Sequence, residues 1–284
     1  MDASLTAALE RIHRAAAAPG DEDGAPSLPW ADPAFSARFA ERVDYEALFG
    51  HPAPAQQVDA LERQLALAPG ATVLDLCSGP GAHAIELARR GHHVLAVDVG
   101  PGATALGRRR AQAAGVTVDF HTGDVLDRAC LSAAVAAASD GGADAAFVIR
   151  GQIDNFAPRD LERLADNLAA WLRPGGTVVL EFTPPGMAPK ATARSWYVSE
   201  ARTSIWADHT CLVLTDRRWD GGQAAAIARF FVLHPDGRLD RYRSTTYTHA
   251  RRAVASLLRA KGFTRVRFEP GDARWTRLLA TRAG

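Results

Sequence analysis

The sequence predicts an α/β protein with a doubly wound parallel sheet, and three observations carry that prediction. Short apolar runs alternate with helix-compatible segments from Thr72 to Phe182. The runs are too apolar for a sheet with one wet face, as expected of strands covered on both sides. The 284 residues are 47% hydrophobic and 23% charged, enough to bury a sizeable core.

Taken in order, residues 1–27 read as a flexible arm, because an alanine-rich stretch from Ser4 to Ala18 runs into the breaker cluster Pro19-Gly20-Asp21-Glu22-Asp23-Gly24. Residues 28–67 are expected to form a helical lid. Trp30, Phe35, Phe39, Tyr45 and Phe49 recur at helical spacing there, and a second helix runs from about Gln56 to Leu67 before the Pro69-Gly70 break. The core spans 68–184, with strands at Thr72–Leu76, His93–Asp98, Thr117–His121, Ala143–Ile149 and Thr177–Phe182. Helices are expected between them at Ala82–Arg90, Gly102–Ala114, Ala129–Ala138 and Arg159–Leu172. That rhythm stops over 185–248, where Thr210–Thr215, Ala226–Leu233 and Arg238–Tyr247 are broken by Asp220-Gly221-Gly222 and Pro235-Asp236-Gly237. The pattern predicts a small antiparallel β insertion. Residues 249–284 are expected to complete the core with a helix, His249–Ala260, closed by Lys261-Gly262, and two strands, Thr264–Phe268 and Arg274–Ala280.

Charge excludes some partners. The 33 basic and 32 acidic residues nearly cancel, so no summed field is available to hold a nucleic acid. All but Lys190 and Lys261 of the basic residues are arginines. Cys77, Cys130 and Cys211 are odd in number and lack ligand spacing, so neither a disulfide framework nor a metal site is expected, and a reducing cytoplasm fits. The start Met1-Asp2 has no basic, apolar leader, and no run of 18 apolar residues occurs, so no membrane partner is expected.

The chemistry concentrates where the first strand meets its helix, at Asp75-Leu-Cys-Ser78-Gly79-Pro-Gly81. Glycines there let the main chain turn sharply and approach a ligand, and the helix start offers unpaired N–H groups. Gly79-x-Gly81-x-x-Ala84 alone also fits a dinucleotide fingerprint. Asp98 ends the second strand, where a carboxylate can accept from both ribose hydroxyls. Asp124 follows the third, where one can accept from an adenine amine while Val125 packs on the ring, and Asp75 can hold an ammonium. An acid at each of three successive strand ends suits an adenosine with an amino-acid tail better than a pyrophosphate, which those acids would repel.

On these residues, the chain from about Thr72 to Phe182 resembles the S-adenosylmethionine-binding domain of class I methyltransferases. Leu172-Arg-Pro-Gly175-Gly176 matches the turn before the fifth strand of that domain, and Cys77 departs from it by standing where the family has its first glycine. The resemblance implies a Rossmann-like, seven-stranded, mostly parallel sheet whose last strand is antiparallel. It implies S-adenosyl-L-methionine as cofactor, held by Asp75, Cys77, Ser78, Gly79, Gly81, Asp98, Val99, Asp124, Val125 and Arg150. More loosely, Trp30 to Ser36 and Ser195-Trp196-Tyr197 resemble flanking segments of bacterial members that act on small metabolites.

Substrate is expected beyond the fourth strand, because ligands of open α/β sheets bind past the strands' carboxyl ends. There Arg150-Gly-Gln152-Ile-Asp154-Asn155 offers Gln152 and Asp154 as catalytic residues, with Asp154 the candidate base, and Asn155 as a substrate contact. Phe35, Arg38, Trp196, Trp206, His209 and Tyr247 are further substrate-side candidates, whereas His83 and Arg108-Arg-Arg110 read as helix packing and a solvated face. The expectation is an N- or O-methyltransferase of secondary metabolism with a small-molecule acceptor. Its alternatives are non-methyl chemistry on the same sulfonium, such as cyclisation of the aminobutyrate chain, a nicotinamide oxidoreductase, and a non-catalytic cofactor-binding protein.

Overall fold

The computed structural model describes residues 27–43, 54–187, 190, 192–269 and 275–284, together with Ala7 and Glu10. Tyr45, Phe49, Arg274 and most of the expected arm lie outside the described residues. In chain order the helices are α1 (Pro33–Arg42), α2 (Pro54–Leu65), α3 (Ala82–Arg89), α4 (Pro101–Ala113), α5 (Ala129–Ala138), α6 (Pro158–Trp171) and α7 (Arg251–Ala260). The strands are β1 (Thr72–Leu76), β2 (His93–Asp98), β3 (Asp119–Thr122), β4 (Ala143–Val148), β5 (Leu172–Phe182), β6 (Ala193–Ser199), β7 (Cys211–Asp220), β8 (Ala225–Leu233), β9 (Leu239–Tyr247), β10 (Phe263–Glu269) and β11 (Thr276–Arg282). A 3₁₀ turn, Gln152–Asn155, follows β4. The chain divides into two units, Met1–Val43 with Pro189–Thr246, and Asp44–Ala188 with Tyr247–Gly284.

The larger unit is built on a seven-stranded sheet in the order β10-β11-β5-β4-β1-β2-β3. Strands β1 to β5 run parallel, and β11 is antiparallel to both β5 and β10, as the sequence predicts. Period-two alternation sends Val73, Val94, Phe147 and Val179 to one face, against Val58 and Leu61 of α2 and Leu87 of α3. Leu74, Val97, Val148 and Leu180 go to the other face, against Leu131 of α5, Leu164 of α6 and Leu258 of α7. The ladder of β5 starts earlier than the sequence suggests, because Leu172 already pairs with Ala143, and the register then shifts before Thr177 pairs with Ala145. Arg173 to Gly176 form the intervening bulge, where a Cβ on Gly176 would fall 2.8 Å from the Arg173 carbonyl oxygen.

The smaller unit is a four-stranded sheet, β6-β7-β8-β9, with β6–β7 and β7–β8 antiparallel. Helix α1 begins on Asp32, whose carboxylate accepts from the Phe35 amide at 2.7 Å, with Pro33 in the first turn. Phe35 packs with Trp206, Val213 and Val232 in this unit's core. Strand β6 escapes a pattern reading because six of its seven residues are exposed, so it shows no alternation. Strand β7 continues to Asp220, past the charged Asp216-Arg217-Arg218, because Asp216 is buried in an ion pair with Arg229 of β8. No helix among the described residues is long and apolar enough to cross a membrane.

Candidate functional site

The loop between β1 and α3 needs left-handed backbone at alternate positions: Cys77 has φ 59°, Gly79 55° and Gly81 71°. Cys77 therefore occupies the conformation for which glycine is favoured, the physical content of the departure at that position. Gly81 caps α3 by accepting from Ile85 N at 2.9 Å, and a Cβ there would lie 2.5 Å from Cζ of Phe120. The loop is tied to β2 by Ser78 N donating to Val97 O at 2.9 Å and by Gly79 N donating to Oδ2 of Asp98 at 2.8 Å.

The three acids differ in environment. Asp98 accepts from Gly79 N and, through Oδ1, from Gly100 N at 2.8 Å; burial raises its pKa against those two amides. Asp75 is only 3% exposed, and its Oδ2 has no hydrogen-bond partner. Burial pushes its pKa from 3.8 up to about 8, with the Asp98 charge adding to the rise and Arg150 and the Ala84 amide opposing it. Asp124 is exposed, and its Oδ1 accepts from Leu126 N at 2.9 Å. Val125 is buried in the core beneath α5 and α6, whereas Val99 is among the exposed large apolar residues. Burial also holds the Cys77 thiol protonated well above its usual range, so it is no nucleophile.

After β4, Arg150 (φ 59°) and Gly151 (φ 66°) turn the chain into the 3₁₀ segment. The Arg150 amide donates to Oε2 of the buried Glu181 at 2.7 Å, and its guanidinium donates to Oε1 of Gln57 at 3.1 Å. Gln57 Oε1 also meets His83 Nε2, so His83 is a buried packing residue set edge-on to Phe147. Asp154 is buried with both oxygens engaged: Oδ1 accepts from Thr183 N at 3.0 Å and Oδ2 from Thr183 Oγ1 at 2.7 Å. Burial raises its pKa to about 6 while those two bonds lower it. Asn155 is exposed and donates to the backbone and side-chain oxygens of Gln152 at 3.2 Å.

In the smaller unit, Phe35 and Trp206 are interior, with ring centroids 6.0 Å apart. Trp206 Nε1 donates to Tyr197 Oη at 3.0 Å. Arg38 Nε donates to Ile205 O at 3.1 Å, and its Nη1 lies 3.5 Å from Asp208. Trp196 is 69% exposed on β6 and His209 is exposed, while Tyr247, the last residue of β9 and already part of the larger unit, is half-buried.

The structure thus brings Asp75, Cys77, Gly79, Gly81, Asp98 and Arg150 together around the ends of β1, β2 and β4. Sequence reasoning did not find Gln57, Glu181 or Arg277. Arg277 on β11 pairs with Oε1 of Glu181 and donates to Gln64 at 2.9 Å, so an ion pair from the far strand holds the residue that fixes Arg150. The available signal was Glu181, an acid inside an otherwise apolar strand.

A methyltransferase-domain family model matches residues 73–176. The chain is 38% identical to a demethylmenaquinone methyltransferase of Thermus thermophilus over 116 residues, 40% of this chain and 48% of that protein, so it spans about half the length of that relative. It is 30% identical to a demethylmenaquinone methyltransferase of a Parafrankia species over 215 residues, 73% of this chain and 75% of that one. It also shares its fold with an S-adenosylmethionine-bound amino pentose methyltransferase from Micromonospora echinaspora, with a TM-score of 0.57 and 21% identity over 84% of this chain and 96% of that one.

Proposed function

This chain belongs to the class I S-adenosylmethionine-dependent methyltransferases, and from that premise we propose that it methylates an amine or hydroxyl of a small molecule in secondary metabolism. The observation that carries the reading is Asp75. A buried carboxylate with an unpartnered oxygen beside a glycine loop is costly unless a cation completes it, and the cofactor's ammonium is such a cation. Arg150, whose charge reaches Asp75, suits the carboxylate of the same tail. Asp98 keeps lone pairs for the ribose hydroxyls beyond those used by Gly79 and Gly100. Ser78 belongs to the same loop, and Val99 and Asp124 complete the purine side of the proposed site, whereas Val125, expected to pack on the ring, turns its side chain into the core instead.

When bound, the sulfonium supplies an electrophilic methyl with a good leaving group. What remains for the protein is placement, which is worth roughly 7–11 kcal/mol in well-oriented pairs. Gln152 and Asn155 orient the acceptor in this proposal. Asp154 already accepts from the Thr183 amide and hydroxyl, so in this proposal its part is to position the 3₁₀ turn. A cytoplasmic location is part of the same reading, and the free thiols of Cys77, Cys130 and Cys211 suit it.

The test is calorimetric titration with S-adenosylmethionine, S-adenosylhomocysteine and NAD. A panel of small amines and hydroxyl compounds follows, an amino pentose among them, with the quinone demethylmenaquinone beside it, since the relatives are named for these two. Binding of the first two ligands with S-adenosylhomocysteine as product supports the proposal. Release of methylthioadenosine would move the chemistry to the side chain, and binding of NAD alone would sink the cofactor reading.

A further inference from the structure

Helix α2 carries a polar contact that its packing alone does not require. Val58 and Leu61 bury one stripe of the helix in the core. Arg90 of α3 ties down its polar side, donating to Asp59 and Glu62 at 2.6 Å each and to Ala55 O at 3.0 Å. Gln57, in the turn between these anchors, receives two donors on Oε1: Nη2 of Arg150, which follows β4, at 3.1 Å, and Nε2 of the buried His83 of α3. All three residues lie in the larger unit, together with the glycine loop and Asp75.

Donors and acceptors follow by elimination. A guanidinium only donates, so the Gln57 atom facing Arg150 is the oxygen. The same oxygen faces His83, so His83 Nε2 carries a proton. Two donors on one oxygen keep the carboxamide from turning over, and the His83 ring is itself held edge-on to Phe147, with centroids 6.2 Å apart. The type of acceptor matters as much as its place. A carboxylate at this point would neutralise Arg150, as Glu181 does Arg277, whereas a carboxamide directs the guanidinium and leaves its charge whole. A planar guanidinium aimed in this way presents a fork of N–H groups that matches a carboxylate. Arg150 also stands in left-handed backbone, φ 59°, where glycine is favoured, so its side chain is kept there at a cost.

We propose that Gln57 is a positioning residue that aims Arg150 at the carboxylate of the cofactor's amino-acid tail, with His83 holding Gln57 in place. This rests on the methyl-transfer reading above and deepens it. The tail is read as a zwitterion, its ammonium by Asp75 and its carboxylate by Arg150, and α2 supplies the alignment of the second half. The ligands the site prefers are therefore adenosyl sulfonium or thioether compounds that keep the α-carboxylate.

The test compares two ligands that differ only in that group, S-adenosylmethionine and decarboxylated S-adenosylmethionine, by calorimetric titration of the full chain, with displacement titration where binding is weak. Wild type should prefer the first by about tenfold or more. Gln57→Leu should shrink that preference by about threefold to tenfold, by weakening S-adenosylmethionine and leaving the decarboxylated ligand unchanged. Damage to the fold would weaken both ligands alike, so the ratio reads alignment and not packing. Gln57→Glu keeps the helix surface polar and adds only a charge, and it should shrink the preference at least as much. In an Arg150→Met background, Gln57→Leu should change the ratio by less than about twofold. Long-range proton–nitrogen spectra of the ¹⁵N-labelled chain should show the His83 proton on Nε2. A preference that Gln57→Leu or Gln57→Glu leaves as in wild type, or a His83 proton on Nδ1 alone, overturns the inference. The two failures are distinguishable: wild type that binds neither ligand sinks the methyl-transfer reading, whereas wild type that binds both with equal affinity, or a ratio blind to position 57, sinks only the role of Gln57 and Arg150.

Discussion

Replacing Asp75 by Asn should abolish a pH dependence that the wild type shows in both stability and cofactor affinity. In the folded, ligand-free chain the Asp75 carboxyl holds its proton up to about pH 8, against 3.8 when free of burial. Between those values the folded state binds more protons than the unfolded one, so this group's contribution to stability is lost as pH rises through that window, at up to about 1.4 kcal/mol per pH unit. A cation at Oδ2 needs the ionised form. Below about pH 8 the proton must therefore leave before the ligand's ammonium binds, which costs about tenfold in affinity for each unit of pH. The α-amine of the ligand itself titrates near ~8, so the clean range lies below pH 7, where that amine stays charged. Calorimetric titration with S-adenosylmethionine over that range should give a wild-type Kd that falls about tenfold per unit as pH rises. In Asp75→Asn the Kd should be weaker near neutrality and nearly flat. A flat wild-type profile, or a variant that keeps the wild-type slope, refutes the assignment of Asp75 to the ammonium.

Gly81→Ala forces a side chain into left-handed backbone and toward the Phe120 ring, which Gly107 also crowds; thermal unfolding should show a loss of about 2–4 kcal/mol. Asp154→Ala leaves the Thr183 amide without its acceptor and should cost about 1–3 kcal/mol in chemical denaturation. If Asp154 only positions the turn, the shape of the pH–rate profile stays as in the wild type, and loss of its basic limb would restore Asp154 as the base. Glu181→Gln strips the charge from a buried pair with Arg277 and the acceptor of the Arg150 amide; about 3 kcal/mol should be lost, and Glu181→Gln with Arg277→Met should recover much of it.

The parallel core was legible because its physics is local and periodic. Leu74, Val97, Val148 and Leu180 alternate with residues of the opposite face, and helix-length segments separate their strands. The glycine loop was legible because left-handed backbone leaves a compositional trace at Gly79 and Gly81. Strand β6 left no trace, since a strand exposed on both faces has no alternation to read. The roles of Phe35 and Arg38 could not be read either: an aromatic and an arginine on one helix fit a pocket wall as well as the packing and carbonyl contacts they make. The bonds of Asp154 to Thr183 could not be read for a related reason, because an acid next to Asn155 looks the same whether or not it accepts from a residue of the next strand's end. Partners separated by dozens of residues, such as Arg277 and Glu181, cannot be paired without the fold.

Two non-glycine residues at the strand ends of the larger unit, Cys77 and Arg150, share the same costly backbone, with φ 59° at each. Left-handed backbone at such residues costs about 1–2 kcal/mol each and persists only where neighbouring bonds hold it. Each is held by a carboxylate on an adjacent strand end: the half-buried Asp98 takes the Gly79 amide two residues past Cys77, and the buried Glu181 takes the amide of Arg150 itself. A carboxylate can hold an amide in this way and still have lone pairs to offer, whereas a backbone carbonyl in the same place would present its own fixed dipole to the ligand. Glu181 has less to offer, because Arg277 takes its other oxygen and neutralises its charge, so it serves as a brace. Asp98 has no cationic partner among its bonds, and it keeps that capacity at the end of β2, where a ribose would lie. Both acids thus hold a loop at one sheet edge, and the counter-ion sets what is left over: Glu181 is neutralised by arginine, whereas Asp98, with none, keeps acceptor capacity for the ligand of the proposed site.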